Sequence, residues 1–581
     1  MSRLRIFQII IYIFAAAVIL RLFYWQFISD ISSSSDLFSQ EIRLPAQRGE
    51  IYTSDNFPLV TNQEAFLLYA KPNSINTNTK EIAQKISPFL ISEKYSTDES
   101  QLSPQDQDQK KNDIKDKEDD IIAKISNKSL FWVQLARKVE LSSKQKIDSF
   151  SIKGLGFEQD AKRFYPEASM AAQLLGFVGS DNSGNDTGYF GLEGYYNNDL
   201  KGKPGRIGQI QDPNGFPILV GKYRPLDPKK GSSLYTSIDR TIQYIVEQNL
   251  SRDVQKYGAK NGVAIVADPK TGNILAMASY PNYSPQIYNE YQEDLYKNPA
   301  VADQYEPGST FKLISMSAAL DQSLVNPDTQ CTVCTGPREI GGYKISTWNN
   351  KYFPNSTMTD VIVHSDNVGM TFVADKLGLD KFYEYINKFG FGKKTGIDLQ
   401  EEVDGTIRKK SDWHTIDLAT ASFGQGLTVT PVQMVQAVQT IANGGKLISP
   451  KIVKMVKGES NTQLIKPQAE TQVISPKAAA QMTEMMVKAV ADGEAKFFAP
   501  KGYKIAGKTG TAQIPVAGHY DPNKTIASFV GFAPADDPKF VMIVRFTEPT
   551  SSIFGAETAA PTFFSIAKDL LNYWAIPPSA N

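Results

Sequence analysis

Cysteine and histidine are nearly missing from this chain, with two of one and three of the other in 581 residues. That excludes a disulfide framework and a Cys-rich zinc module, leaving open only a metal site led by carboxylates. Net charge is missing too, because 62 Lys and Arg balance 62 Asp and Glu. Without a global positive field to neutralise phosphates, nucleic-acid binding is not expected. What is present, 41% hydrophobic and 21% charged residues, is ordinary globular composition with length for roughly three to four domains.

One long apolar run occurs, from Ile6 to Ile28. As a helix it rises about 34 Å, enough to span a bilayer. Arg3 and Arg5 precede it and Asp30 and Asp36 follow, so the positive-inside rule puts residues 1–5 in the cytoplasm as a short tail and the rest of the chain on the outer, periplasmic or extracytoplasmic side. Arg21 and Gln26 can snorkel to the outer interface, where Tyr24 and Trp25 also belong. The rival readings are a signal peptide cleaved after Ala15-Ala16-Ala17 and a buried core helix.

Between about residues 94 and 120 the sequence is Ser, Asp, Gln, Lys and Glu with almost no apolar residue, which reads as a solvated, disordered insertion. From Phe131 to Arg206 short alternating runs broken by glycines suggest an irregular extended domain. From Leu234 the texture becomes mixed α and β. Runs at 262–267 and 274–278 flank the turn Asp268-Pro269-Lys270-Thr271-Gly272 and read as a buried hairpin, with further strands at 527–532 and 540–546. Helices are expected at 241–257, 309–321, 374–389, 430–442, 476–492 and 561–573.

In Glu306-Pro307-Gly308-Ser309-Thr310-Phe311-Lys312 a small-residue turn opens a helix and sets Ser309 and Lys312 three apart, on one side of its first turn. A serine hydroxyl attacks only when a base takes its proton, and a lysine serves as that base when burial or a neighbouring cation lowers its pKa. Ser365-Asp366-Asn367 adds a hydroxyl able to relay a proton and an amide able to hold a carbonyl. Lys508-Thr509-Gly510-Thr511 presents a fixed cation, with Gly510 expected to let a substrate backbone approach. Each pattern has a twin: Ser143-Lys144-Gln145-Lys146 in a polar helix, Ser180-Asp181-Asn182 in a turn, Lys394-Thr395-Gly396 in a loop. Only the set at 309, 365 and 508 falls in order within the α/β half, and that order is the signature of serine acyl transferases.

At this point the chain resembles the class B, monofunctional penicillin-binding proteins. Arg48-Gly49-Glu50-Ile51-Tyr52 through Pro58-Leu59 is similar to the opening of that family's pedestal, although Thr53-Ser54-Asp55-Asn56 departs from its usual turn. Lys162-Arg163-Phe164-Tyr165-Pro166, Leu174-Leu175-Gly176 and Gly191-Leu192-Glu193 with Leu200 and Gly202 resemble the rest of the pedestal. Thr236-Ser237-Ile238-Asp239, Gln304-Tyr305-Glu306, Gly424-Gln425-Gly426 and Thr430-Pro431 resemble the catalytic part. The resemblance implies an α+β multidomain protein: a single transmembrane helix at 6–28, an extended mostly-β, dimerisation-like pedestal at 29–225, a transpeptidase domain at 226–578 with an antiparallel sheet flanked by helices as in serine β-lactamases, and a tail at 579–581. It implies a D,D-transpeptidase that crosslinks peptidoglycan stem peptides through an acyl-enzyme on Ser309, with Lys312 as base, Ser365 as proton relay, Asn367 holding the donor, and Lys508, Thr509, Gly510, Thr511 and Asp366 binding substrate. The oxyanion would lie between the N–H groups of Ser309 and Thr511. No cofactor is expected. The partners implied are stem peptides on nascent glycan strands, β-lactams as mimics of the donor, the membrane, and a SEDS-type glycosyltransferase within a division or elongation complex. Leu67-Leu68-Tyr69-Ala70-Lys71-Pro72 resembles the division branch and leans the reading to a septal role over an elongation role.

Blander readings compete with these. Cys331 and Cys334 form a C-x-x-C whose default outside the membrane is a strained disulfide or two thiols, and a thioredoxin-like role lacks its helix context. His364 adjoins Ser365, but with a lysine base already present it reads as packing; His414 and His519 read as surface. The competing activities are a D,D-carboxypeptidase or β-lactamase, for which no water-activating carboxylate is evident, and a non-catalytic β-lactam-binding scaffold.

Overall fold

The structure, a computed structural model, describes residues 3–24, 39–91, 95, 103–130, 132–182, 184–210, 224–466, 470–516 and 519–578. Residues 25–28 of the expected membrane segment, most of the start of the polar insertion, and the tail 579–581 lie outside them. Helix α1 (Arg3–Phe23) contains a stretch, Arg5–Phe23, long and apolar enough to cross a membrane. Its side chains from Arg5 on are exposed rather than buried against protein, which sets aside the core-helix reading.

Contacts divide the chain into two discontinuous units. The first comprises Met1–Gln47, Gln63–Lys162 and Gly202–Lys230. In it the later part of strand Pro58–Ala70 pairs antiparallel with Val133–Val139, Ala70 lying opposite Val133. Helix α2 (Thr79–Ile91) buries Ile82, Ala83 and Ile86, the three- and four-residue spacing of one helical face. They join Leu68, Leu135, Ile147 and two isoleucines of α3 (Pro104–Ser126) in one core. The expected solvated loop is therefore a helix from residue 104 on. Ser103 and Asp106 form a reciprocal capping box, Pro104 starts the first turn, and Asp120 pairs with Lys117 and Lys124 at helical spacing. Ile121 and Ile125, beyond the polar run, supply the burial that composition alone did not reveal.

The second unit comprises Arg48–Asn62, Arg163–Lys201 and Gly231–Asn581. A shared core draws these early segments to the later part of the chain: Val60, Leu174, Leu192 and Leu200 pack in the same cluster as Leu313, Met370 and Val435. Glu193, fully buried, ties the early segments together, accepting from Arg48 Nε and Arg163 Nε at 2.7 Å each. Arg48 also donates to Asn197 and Arg163 to Asn62.

Asp239 caps α4 (Arg240–Tyr257), accepting from the N–H groups of Thr241 and Ile242, and left-handed Gly258 ends it. The chain then forms the expected hairpin, β1 (Asn261–Ala267) and β2 (Ile274–Tyr280), with Ala264 opposite Ala278. Then come α5 (Lys312–Asp321), α6 (Met358–Val363), α7 (Asn367–Lys388), α8 (Pro431–Ala442) and α9 (Pro476–Asp492). Strands β3 (Ala506–Val516), β4 (His519–Ala533) and β5 (Phe540–Thr547) and helix α10 (Ala559–Tyr573) complete the unit. The sheet order is β2-β1-β5-β4-β3, antiparallel throughout. Alternate residues serve opposite faces: Ala264 and Val266 pack with α4 and α10, while Val263 and Ile265 pack with α5, α7 and α8. Burial on both faces explains why these strands read as continuous apolar runs.

Candidate active site

Ser309 lies in a 3-10 turn, Gly308–Phe311, that runs into α5. Gly308 has φ +54 and donates its N–H to Gly424 O at 3.0 Å, and a Cβ on Gly424 (φ +84) would lie 2.2 Å from Gly308 O. Two glycine turns thus meet back to back, which gives the Gly424-Gln425-Gly426 stretch its structural reason. Arg545 on β5, also buried, holds the approach to this turn: it donates to Asp303 at 2.9 Å and lies 5.1 Å from the Tyr305 ring. Sequence reasoning missed it, a lone cation in an apolar strand being the available signal.

Lys312 is fully buried, and its Nζ donates to Ser365 O at 2.5 Å, Ser365 Oγ at 3.2 Å and Asn367 Oδ1 at 2.8 Å. Ser365 Oγ in turn donates to Ser309 Oγ at 2.9 Å. Among the described residues no hydrogen bond joins Lys312 to Ser309 directly; the expected contact of serine and amine runs through Ser365. Ser365 itself has φ +55, a left-handed conformation costing a non-glycine residue roughly 1–3 kcal/mol. That conformation turns both its hydroxyl and its carbonyl to Lys312.

Asp366 is a correction. Instead of facing substrate it is buried and caps α7, its Oδ1 accepting from the N–H groups of Val368 and Gly369 at 2.7 and 3.1 Å. Asn367, the first residue of α7, holds Lys312 with Oδ1 and donates from Nδ2 to Ser346 O at 3.2 Å.

Lys508 lies on β3, the terminal strand of the sheet order, buried, with Nζ donating to Thr509 Oγ1 at 3.1 Å. Thr511 Oγ1 accepts from Gly555 N at 3.0 Å. At Gly510 a Cβ would lie 2.4 Å from Ser528 Oγ and 2.9 Å from Thr310 Cγ2. Its missing side chain is what admits the turn that carries Ser309. Burial, and then the charge of Lys508, hold the Lys312 amine well below the ordinary lysine range, with Asp366 and Glu494 pulling it partly back. Burial also lowers Lys508, against the pull of Glu494.

The twins go elsewhere. Ser143 is buried and donates to Phe89 O, Asp181 holds a turn by accepting from Asn185 N, and Thr395 donates to Glu402. His364 stacks on Phe353 with ring centroids 4.1 Å apart, a packing role. Cys331 and Cys334 are joined as a disulfide and buried.

Comparison with known proteins adds independent findings. The family model for the penicillin binding protein transpeptidase domain matches residues 262–571, and that for the penicillin-binding protein dimerisation domain matches residues 43–236. Stage V sporulation protein D of Bacillus subtilis is 33% identical over 97% of this chain and 84% of its own length. Peptidoglycan D,D-transpeptidase FtsI of Buchnera aphidicola is 32% identical over 78% of this chain and 77% of its own. Penicillin binding protein 3 of Mycobacterium tuberculosis complexed with aztreonam superposes with a TM-score of 0.69 at 25% identity, covering 93% of this chain and 98% of that one.

Proposed function

Because the chain belongs to the class B penicillin-binding proteins, we propose that Ser309 is the nucleophile through which it acts as a peptidoglycan D,D-transpeptidase. The observation that carries this assignment is the continuous path Ser309 Oγ, Ser365 Oγ, Lys312 Nζ, in which Lys312 and Ser365 are buried and Ser309 is partly exposed. Neutral Lys312 draws the Ser309 proton through Ser365 as Oγ attacks the carbonyl between two terminal D-alanines; the proton then returns along the same path to the leaving amine. The backbone N–H groups of Ser309 and Thr511 receive the oxyanion. The donor adds to β3 as an extended strand, its carboxylate meeting Lys508, Thr509 and Thr511 and its amide meeting Asn367. An amine from a neighbouring stem peptide resolves the acyl-enzyme.

The same reading places α1 as a single-span anchor with the N-terminus in the cytoplasm, on the strength of Arg3 and Arg5. A SEDS-type glycosyltransferase is the partner assigned to the anchor and pedestal, and septal recruitment is the role that residues 67–72 favour. A fluorescent fusion spread along the lateral wall of growing cells would overturn the septal role.

Intact mass with and without a penicillin tests the nucleophile, on wild type, Ser309→Ala and Ser143→Ala. The expected result is a stoichiometric, slowly lost adduct that disappears only in Ser309→Ala. Rapid loss of the adduct with drug turnover would instead identify a β-lactamase, and an adduct retained in Ser309→Ala would remove Ser309 from the role.

A further inference from the structure

We propose that the groove between α10 and the stretch 498–503 is a docking site for a partner protein, engaged through a short extended segment that carries acidic and apolar side chains. The groove has a volume of about 490 Å³, within the range of ligand sites. One wall is a face of α10, on which Pro561, Phe564, Lys568 and Asn572 recur at three- and four-residue spacing. The other is Phe498, Lys501 and Tyr503, on the stretch that leads from α9 into β3. From Pro561 to Asn572 the helix rises about 16 Å, the length of roughly five residues of extended chain. A groove of that length suits a peptide segment better than a compact small molecule.

The lining dictates what the segment carries. Phe498 is 47% exposed and the buried Phe564 adds a second ring, an apolar surface left facing water. Lys501 and Lys568 are exposed, and among the described residues neither has an ion-pair or side-chain hydrogen-bond partner. By contrast Lys504, just beyond the groove, pairs with Asp536. In a chain of zero net charge, two unpaired cations flanking an apolar groove call for carboxylates on either side of an apolar anchor. Asn572 is exposed as well, and its amide can exchange hydrogen bonds with a peptide backbone. Position favours a partner over a substrate. α10 packs on one face of the sheet, with Ala264 and Val266, whereas α5, which follows Ser309, packs on the other, with Val263 and Ile265. A docked segment therefore leaves the catalytic cleft free.

The test selects seven-residue peptides from a random phage-displayed library against the full chain in detergent, then measures the affinity of enriched peptides by fluorescence anisotropy. The expected peptides combine Asp or Glu with Leu, Phe or Trp. At low salt the double variant Lys501→Gln, Lys568→Gln should bind them about five- to tenfold more weakly, and Phe498→Ser about tenfold more weakly. The charge-preserving pair Lys501→Arg, Lys568→Arg should bind as wild type does. Melting temperature and penicillin labelling equal to wild type confirm that each variant is folded. Peptides without acidic residues, no enrichment, or affinities unchanged in the variants would overturn the site. So would peptide binding that is lost once the chain has taken up a penicillin, which would put the peptide in the catalytic cleft. A concentration-dependent dimer in sedimentation that Phe498→Ser abolishes would give the groove to a second copy of this chain and overturn the acidic partner.

Discussion

Lys312 has no exposure to solvent and a second cation acting on it, and both disfavour its protonated form relative to an exposed lysine. The rate of penicillin acylation should therefore climb with pH through an inflection below the ordinary lysine value of 10.5. Lys508→Ala removes a charge that disfavours protonation of Lys312 and should move the inflection up; Glu494→Gln removes one that favours it and should move it down. Stopped-flow acylation across pH measures both, and an inflection that stays put in the two variants would point to a different base. At this scale part was legible: Ser309, Lys312, Ser365 and Asn367, singled out by spacing, are joined by hydrogen bonds. What was not legible is conformational. The left-handed backbone of Ser365 leaves no trace in residue type, and Asp366 looks like a substrate ligand until its carboxylate is found on the N–H groups of its own helix.

Between elements, the decisive contact is β3 against the turn that holds Ser309. Gly510→Ala should lower stability by about 1–3 kcal/mol and slow penicillin labelling by about tenfold or more, since the added methyl displaces Thr310 next to the nucleophile. Thermal melting and labelling rates of the same preparation check it; an alanine variant that labels at the wild-type rate would show that the strand yields without moving the turn. Helix α3 gives a contrasting case. Ser103→Ala should loosen its first turn by about 1 kcal/mol, seen as faster amide exchange there. Long, patterned elements such as α9 and the β1–β2 hairpin could be read from sequence, since their apolar residues repeat at the helical or strand period. α3 could not, because its stability comes from a cap, from charge pairs and from two isoleucines at its far end, none of which changes a composition dominated by charge.

Across the second unit, Glu193 is the group whose loss should be felt furthest. Burial pushes its carboxyl up, and the charges of Arg163 and Arg48 more than offset this, leaving it below its ordinary 4.5. A depressed pKa in the folded state means stability held above about pH 4.5 and surrendered as pH falls through the lower folded value. Glu193→Gln leaves two buried guanidinium groups without a counter-charge, which should cost about 3–5 kcal/mol in urea unfolding at neutral pH and flatten the acid slope. The motifs around Arg48, Arg163 and Glu193 were visible as a resemblance, but not the fact that they belong to the same unit as Ser309, because only contacts distant in sequence make that so. A corollary concerns counting rather than catalysis. Ser309, Ser365 and Lys508 come from three separated stretches, so under the proposed assignment a chain should take up a covalent penicillin only after all three have been gathered. After a refolding jump or a heat pulse, the labelled fraction is then a direct census of intact molecules, read on a gel, to which the misfolded remainder contributes nothing.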